Sequence, residues 1–138
     1  RRELEEVGLA TARIAAAARH LARAREVLER DTVLLLDTAT RRDGARILID
    51  GAALAAAPRE LGLRALAALL KEAGGQPYRP RFEQLESLFD SLSTGRFAAR
   101  TLHGCRLGVA PKRLAVFGSG TLLLEKEPGR VKPQVKPS

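Results

Sequence analysis

Neither tryptophan nor methionine occurs in these 138 residues, tyrosine and cysteine occur once each, and phenylalanine four times. A core must therefore be assembled mainly from Leu, Ala, Val and Ile. The single Cys105 excludes an intrachain disulfide and a thiolate zinc site, and it fits a reducing compartment. Acidic residues are missing from one long stretch: none lies between Asp90 and Glu125, although Arg96, Arg100, Arg106, Lys112 and Arg113 all fall inside it. No run approaches the ~20 apolar residues of a membrane-spanning helix, and the N-terminus lacks a charged-then-apolar secretory pattern. The expectation is no membrane partner and a cytoplasmic location. With Arg1 first and no Met anywhere, the chain reads as an excised segment.

The 45% hydrophobic content is enough for one ordinary core or two small ones. The net charge of +8 is carried mainly by the C-terminal part: residues 1–57 hold 10 basic against 9 acidic side chains, residues 58–131 hold 12 against 7, and two lysines follow. Cations without nearby acidic partners suit a polyanion, because phosphate contacts release condensed counterions. A solvated basic surface that aids solubility is the competing reading.

Ile14, Leu21, Leu28 and Leu35 recur every seven residues with Ala17, Ala18 and Ala24 between them, which predicts one long helix from Thr11 to about Asp37. Thr11 is its expected N-cap, and Gly8 the expected end of a short preceding helix. The polar face of the long helix is nearly charge-balanced, which suits a scaffold. A turn at Arg41-Arg42-Asp43-Gly44 and a short extended crossing segment over 45–49 follow. Pro58 opens the clearest helix, with Leu61, Ala65, Leu66, Leu69, Leu70 and Ala73 on one side and a stop at Gly74-Gly75. Residues 74–81, with two glycines and two prolines, predict a fixed exposed loop, and Phe82, Leu85, Leu88, Phe89 and Leu92 a second amphipathic helix. Short β-prone runs at 97–102, 105–109, 113–117 and 121–124 then predict an antiparallel meander, with Cys105, Leu107, Val109, Leu114 and Val116 facing one way and Arg106 and Arg113 the other.

Several residues invite chemistry. Cys105 and His103, two apart, suggest a thiol–imidazole pair, against which stand the usual burial of cysteine and the lack of an orienting carboxylate. His20 has no grouped partners for a metal, and Asp37, Asp43 and Asp50 suit caps and turns better than a cation site. Tyr78 can stack on an exposed base or pack against the Leu-rich helix. Arg79 and Arg81 flank Pro80 in a stiff loop, so little freedom would be lost on binding phosphate, and a solubilising role fits these residues equally well.

The segments Arg64-Ala65-Leu66-Ala67-Ala68-Leu69-Leu70-Lys71-Glu72-Ala73-Gly74-Gly75-Gln76-Pro77-Tyr78-Arg79-Pro80-Arg81 and Arg100-Thr101-Leu102-His103-Gly104-Cys105-Arg106-Leu107 resemble, in order and spacing, the region after the catalytic domain of bacterial tRNA(Ile)-lysidine synthases. The resemblance runs over roughly residues 1–127. It implies an enzyme that adenylylates the wobble cytidine of an isoleucine tRNA with ATP and then joins lysine to it. The activating step needs a Ser-Gly-Gly-x-Asp-Ser loop, which this sequence lacks; Gly118-Ser119-Gly120 is a turn by context. Catalysis, with ATP and Mg, is thus expected in an N-terminal catalytic domain of the same protein, and no cofactor and no catalytic residue in this segment. His103 departs from the family, whose members often have Gly there.

The resulting expectation is an α+β chain: a long helix and crossing segment over 1–57, a helix-loop-helix and antiparallel hairpins contacting RNA over 58–127, and a flexible tail over 128–138. The expected partners are tRNA and the catalytic domain, with a homodimer open. Expected RNA contacts are Arg64, Lys71, Arg79, Arg81, Arg96, Arg100, Arg106, Lys112 and Arg113. The alternative is a protein-interaction or dimerisation module whose basic surface only solubilises it.

Overall fold

The structure, a computed structural model, describes residues 1–129; the expected tail lies outside the described residues from position 130 on. Helix α1 runs unbroken over Arg2–Ala39, about 57 Å at ~1.5 Å per residue. The expected break at Gly8 is absent. Nothing lies within 4 Å of where a Cβ would stand at Gly8, and Thr11, instead of capping, donates its hydroxyl back to the Val7 carbonyl at 2.8 Å. Only the C-terminal third packs: Thr32 and Ala39 are buried and Leu28, Leu35 and Leu36 half-buried, whereas Ile14 is 71% and Leu21 68% exposed.

The chain then enters a sheet. Strands β1 (Thr40–Asp43) and β2 (Arg46–Asp50) form a hairpin in which Arg46 is paired with Asp43 at 2.6 Å, and Gly44 supplies the positive φ of the turn. The expected crossing segment is therefore a paired strand. A short helix not anticipated from sequence, α2 (Gly51–Ala56), follows at once, capped by the Asp50 carboxylate accepting from the Ala53 amide at 3.2 Å. Helices α3 (Arg59–Gly74) and α4 (Phe82–Ser93) match the predicted pair, and Gly75, at φ +65°, ends α3 with its N–H donated to the Lys71 carbonyl.

Strands β3 (Arg100–Leu102), β4 (Cys105–Val109) and β5 (Thr121–Lys126) complete one antiparallel sheet in the order β1-β2-β5-β4-β3. The α+β class holds. The sheet takes strands from both sides of residue 57, because β5 pairs with β2 on one edge and with β4 on the other. This pairing is also why 113–117 is no strand: both edges of β4 are occupied, by β3 and β5. The segment instead makes a 3-10 turn at Lys112–Leu114 and further turns leading to Gly118. Val109 keeps the face of Cys105 and Leu107 on β4 but is exposed near the strand end, and Val116, expected on the same face, is exposed outside the sheet.

Ile47, Ile49, Leu107, Leu122 and Leu124 form the inner sheet face and meet Leu54 of α2, Leu63, Leu66, Leu69 and Leu70 of α3, and Leu85, Leu88 and Phe89 of α4. Leu48 alternates to the outer face yet is only 3% exposed; Arg41, on the same face, lies 5.5 Å over the Phe117 ring, so Phe117 reaches back to this side. Helices α3 and α4 close on each other at Gly62, where a Cβ would stand 2.2 Å from the Phe89 ring. Arg59 of α3 fastens the same pair, hydrogen-bonding Asp90 at 2.8 Å and also Glu86. No helix among the described residues is long and apolar enough to cross a membrane.

Two outcomes follow from this packing. Gly62→Ala should destabilise the fold by roughly 1–3 kcal/mol through overpacking. Gly8→Ala, in open space mid-helix, should instead stabilise α1 by up to about 1 kcal/mol. Urea unfolding and amide exchange along α1 distinguish the two. The hydrogen bond from Arg59 holds the Asp90 carboxyl below the usual carboxylate range. Its contribution is thus full above the unfolded value of about 3.9 and is lost as pH falls through the lowered one. The melting-temperature gap between the wild type and Asp90→Asn should be open at neutral pH and close in acid.

Candidate nucleic-acid interface

The β3–β4 hairpin turns on two residues, His103 at φ +52° and Gly104 at φ +74°, both left-handed as the tightest hairpin turns require. His103 occupies a conformation that favours glycine, and its side chain supplies a compensating contact. The Nε2–H donates to the Tyr78 carbonyl at 2.9 Å, and the imidazole meets the phenol ring edge-on, with centroids 4.9 Å apart at 87°. A glycine would lack this contact; histidine fastens the 75–81 loop to the sheet.

The loop is held from below as well. The last residue of α3, Gly74, sits so close to the turn that a Cβ there would stand 2.4 Å from the His103 carbonyl and 3.0 Å from the Cys105 sulfur. Cys105 itself is fully buried; its thiol donates to the Leu70 carbonyl at 3.3 Å, and burial pushes its pKa up. His103 points its ring at the loop and not at the sulfur, so the two form no nucleophilic pair. Among the described residues no group of three His, Cys, Asp or Glu is arranged to hold a metal.

Pro80 is buried while Arg79 and Arg81 on either side are exposed, so the proline anchors the loop and the two guanidinium groups project from it. Both line an open cleft of about 540 Å³ with Tyr78, Gln84, His103 and Gly104. Arg79 also borders a groove of about 330 Å³ between α1 and α3, where Arg64 sits beside Thr32, Val33 and Leu36. On the other side Gln84 is shared with a third cleft containing Arg100, whose guanidinium is steadied 5.9 Å over the Phe97 ring. Arg79, Arg81 and Arg100 thus lie around the start of α4, with Glu83 lining the cleft of Arg100, and Arg79 links them to the α1–α3 groove that holds Arg64 and Glu29.

The other predicted contacts are placed elsewhere. Lys71 is on the exposed side of α3, Arg96 follows α4, and Lys112 and Arg113 belong to the 3-10 turn. Arg106 stands on the outer sheet face, in register with Thr101 and Glu125. Of the nine, only Arg64 has an ion-pair partner among the described residues, Glu60 at 3.0 Å. Other cations are committed to structure: Arg42 to Glu72, Arg46 to Asp43, and Arg59 to Glu86 and Asp90. Gln84 had no signal in the sequence; only the fold brings it between the two clefts.

Replacing His103 separates its two roles. His103→Gly should keep the hairpin and its stability but free the loop, read as faster tryptic cleavage after Arg81. His103→Ala should free the loop and also lose roughly 1 kcal/mol, because alanine gains no contact to offset the left-handed backbone.

Comparison of the chain with protein families, with curated proteins and with solved structures finds no match, so the chemistry of this surface is read from its own residues.

Proposed function

We propose that this chain is the tRNA-contacting part of a tRNA(Ile)-lysidine synthase, positioning the substrate for an ATP- and lysine-dependent reaction carried out by a separate catalytic domain of the same protein. The observation that carries the reading is the row Arg79, Arg81 and Arg100, held on a tethered loop and an adjoining strand, with no ion pair among the described residues. Pre-placed guanidinium groups give up little entropy on meeting phosphate and bind it with charge-assisted hydrogen bonds. Such a surface selects RNA by shape and backbone, and the wobble cytidine is presented to the catalytic domain as a consequence. The motifs from Arg64 to Arg81 and from Arg100 to Leu107, which resemble those of this enzyme family, are the ones that build the surface. ATP and Mg belong to the catalytic domain in this reading.

A second reading draws on α1. Val7, Ile14 and Leu21 continue, in open solvent, the heptad face that Leu28 and Leu35 begin to bury. An exposed stripe of this kind suits a protein partner or a second copy, and association through it would persist at high salt.

Arg79→Ala, Arg81→Ala and Arg100→Ala should each weaken tRNA binding about fivefold, about 1 kcal/mol, with similar loss across tRNA sequences. Each should make the logarithmic salt dependence shallower by roughly one unit. Arg13→Ala and Arg23→Ala, on the charge-balanced helix, should have no effect. Equal losses from these two controls, or binding insensitive to salt, would remove the RNA reading and leave the α1 stripe as the functional surface.

A further inference from the structure

We infer that the cleft between the 75–81 loop and the β3–β4 turn seats one unpaired ribonucleotide, its base stacked on Tyr78 and its phosphate held by Arg79 and Arg81. The inference rests on the RNA-binding reading above and adds to it where an unpaired position of the RNA goes.

The cleft, at about 540 Å³, is within the ~300–1,000 Å³ range of small-ligand sites. Its wall is two guanidinium groups, an imidazole, a carboxamide, a phenol and a glycine turn, with no carboxylate among them. That set attracts an anion and offers nothing to repel it. Arg79 and Arg81 are two residues apart on a chain that is extended at Arg81, with Pro80 buried between them, and both reach the same cleft. They can therefore converge on one phosphate.

Tyr78 gives the site its aromatic element. Packing against the Leu-rich helix would bury the ring, but it is 61% exposed, and its only ring partner among the described residues is His103. That contact is edge-on, at 87°, so the ring is oriented without a parallel partner and a planar base has room to stack. A base inside a duplex already stacks on its neighbours and cannot reach a side chain in this way, so the site discriminates for an unpaired nucleotide. A phosphate alone would satisfy the arginines but leave the ring uncovered.

Tyr78 is the only tyrosine, and the chain contains no tryptophan, so intrinsic fluorescence reports on this ring alone. The 138-residue chain should be titrated with a short single-stranded RNA, with a blunt duplex containing the same sequence, and with inorganic phosphate. Emission is corrected for RNA absorption with free tyrosinamide. The single strand should quench Tyr78 saturably, while phosphate and duplex should not. In a parallel assay with end-labelled RNA, Tyr78→Ala should weaken single-strand binding about tenfold and leave duplex binding unchanged, and Tyr78→Phe, which keeps the stacking face, should retain wild-type affinity. Single-strand binding without quenching, or equal loss on both RNAs in Tyr78→Ala, would overturn the nucleotide seat while the RNA reading stands. A chain that binds neither RNA would overturn both.

Discussion

The last of the described strands occupies the middle of the sheet, and the rest of the molecule depends on its two rows of hydrogen bonds. The β1–β2 and β3–β4 hairpins each have an inner edge of backbone donors and acceptors, and β5 satisfies both, from Ile47 opposite Leu124 on one side to Val109 opposite Leu122 on the other. Without β5, buried Ile47 and Ile49 would lie on a strand with unpaired polar backbone, and the inner face that α3 covers would not exist. A sequence that places three helices and two further strands between β2 and its partner β5 therefore still makes one core, because the apolar faces of β2, β4 and β5 are contiguous only in this order.

The proposed binding surface inherits its geometry from that core. With β4 fixed beside β5, Cys105 lies under the end of α3 and shares a hydrogen bond with the Leu70 carbonyl, and the turn ahead of it rests on Gly74. The absence of a side chain at Gly74 lets helix and turn approach closely enough for His103 to reach the Tyr78 carbonyl. Loop and arginines are thus positioned by close packing below them, which is the arrangement expected of a site organised before its ligand arrives.

Charge was distributed in the sequence more simply than it is in space. The acid-free run from Ser91 to Leu124 reads as one basic segment, but the strands divide it. Arg100, on the edge strand, joins the loop arginines, Arg106 faces outward in register with Glu125, and Lys112 and Arg113 belong to the 3-10 turn beyond β4. Meanwhile Arg79 and Arg81, outside that run, come together with Arg100 around the start of α4, and Arg79 also borders the groove of Arg64. Proximity along the chain is a poor guide to a surface when successive strand residues alternate between faces.

Local chemistry was enough to determine α3, α4 and the fixed loop between them. A proline at the start, a left-handed glycine at the end and a 3.6-residue apolar period act within one or two turns and need no distant partner. The Asp50 cap and the His103-Gly104 turn are of the same local kind, although the cap was read without the short helix it begins. Only tertiary structure decided whether 45–49 crosses or pairs, whether 113–117 is a strand, and which arginines share a surface. Each depends on a competition between segments far apart in sequence, as for the edges of β4 and for the space that only a glycine at 74 leaves open. The energies involved arise when those segments meet, and a short apolar run carries no record of which neighbour it will find.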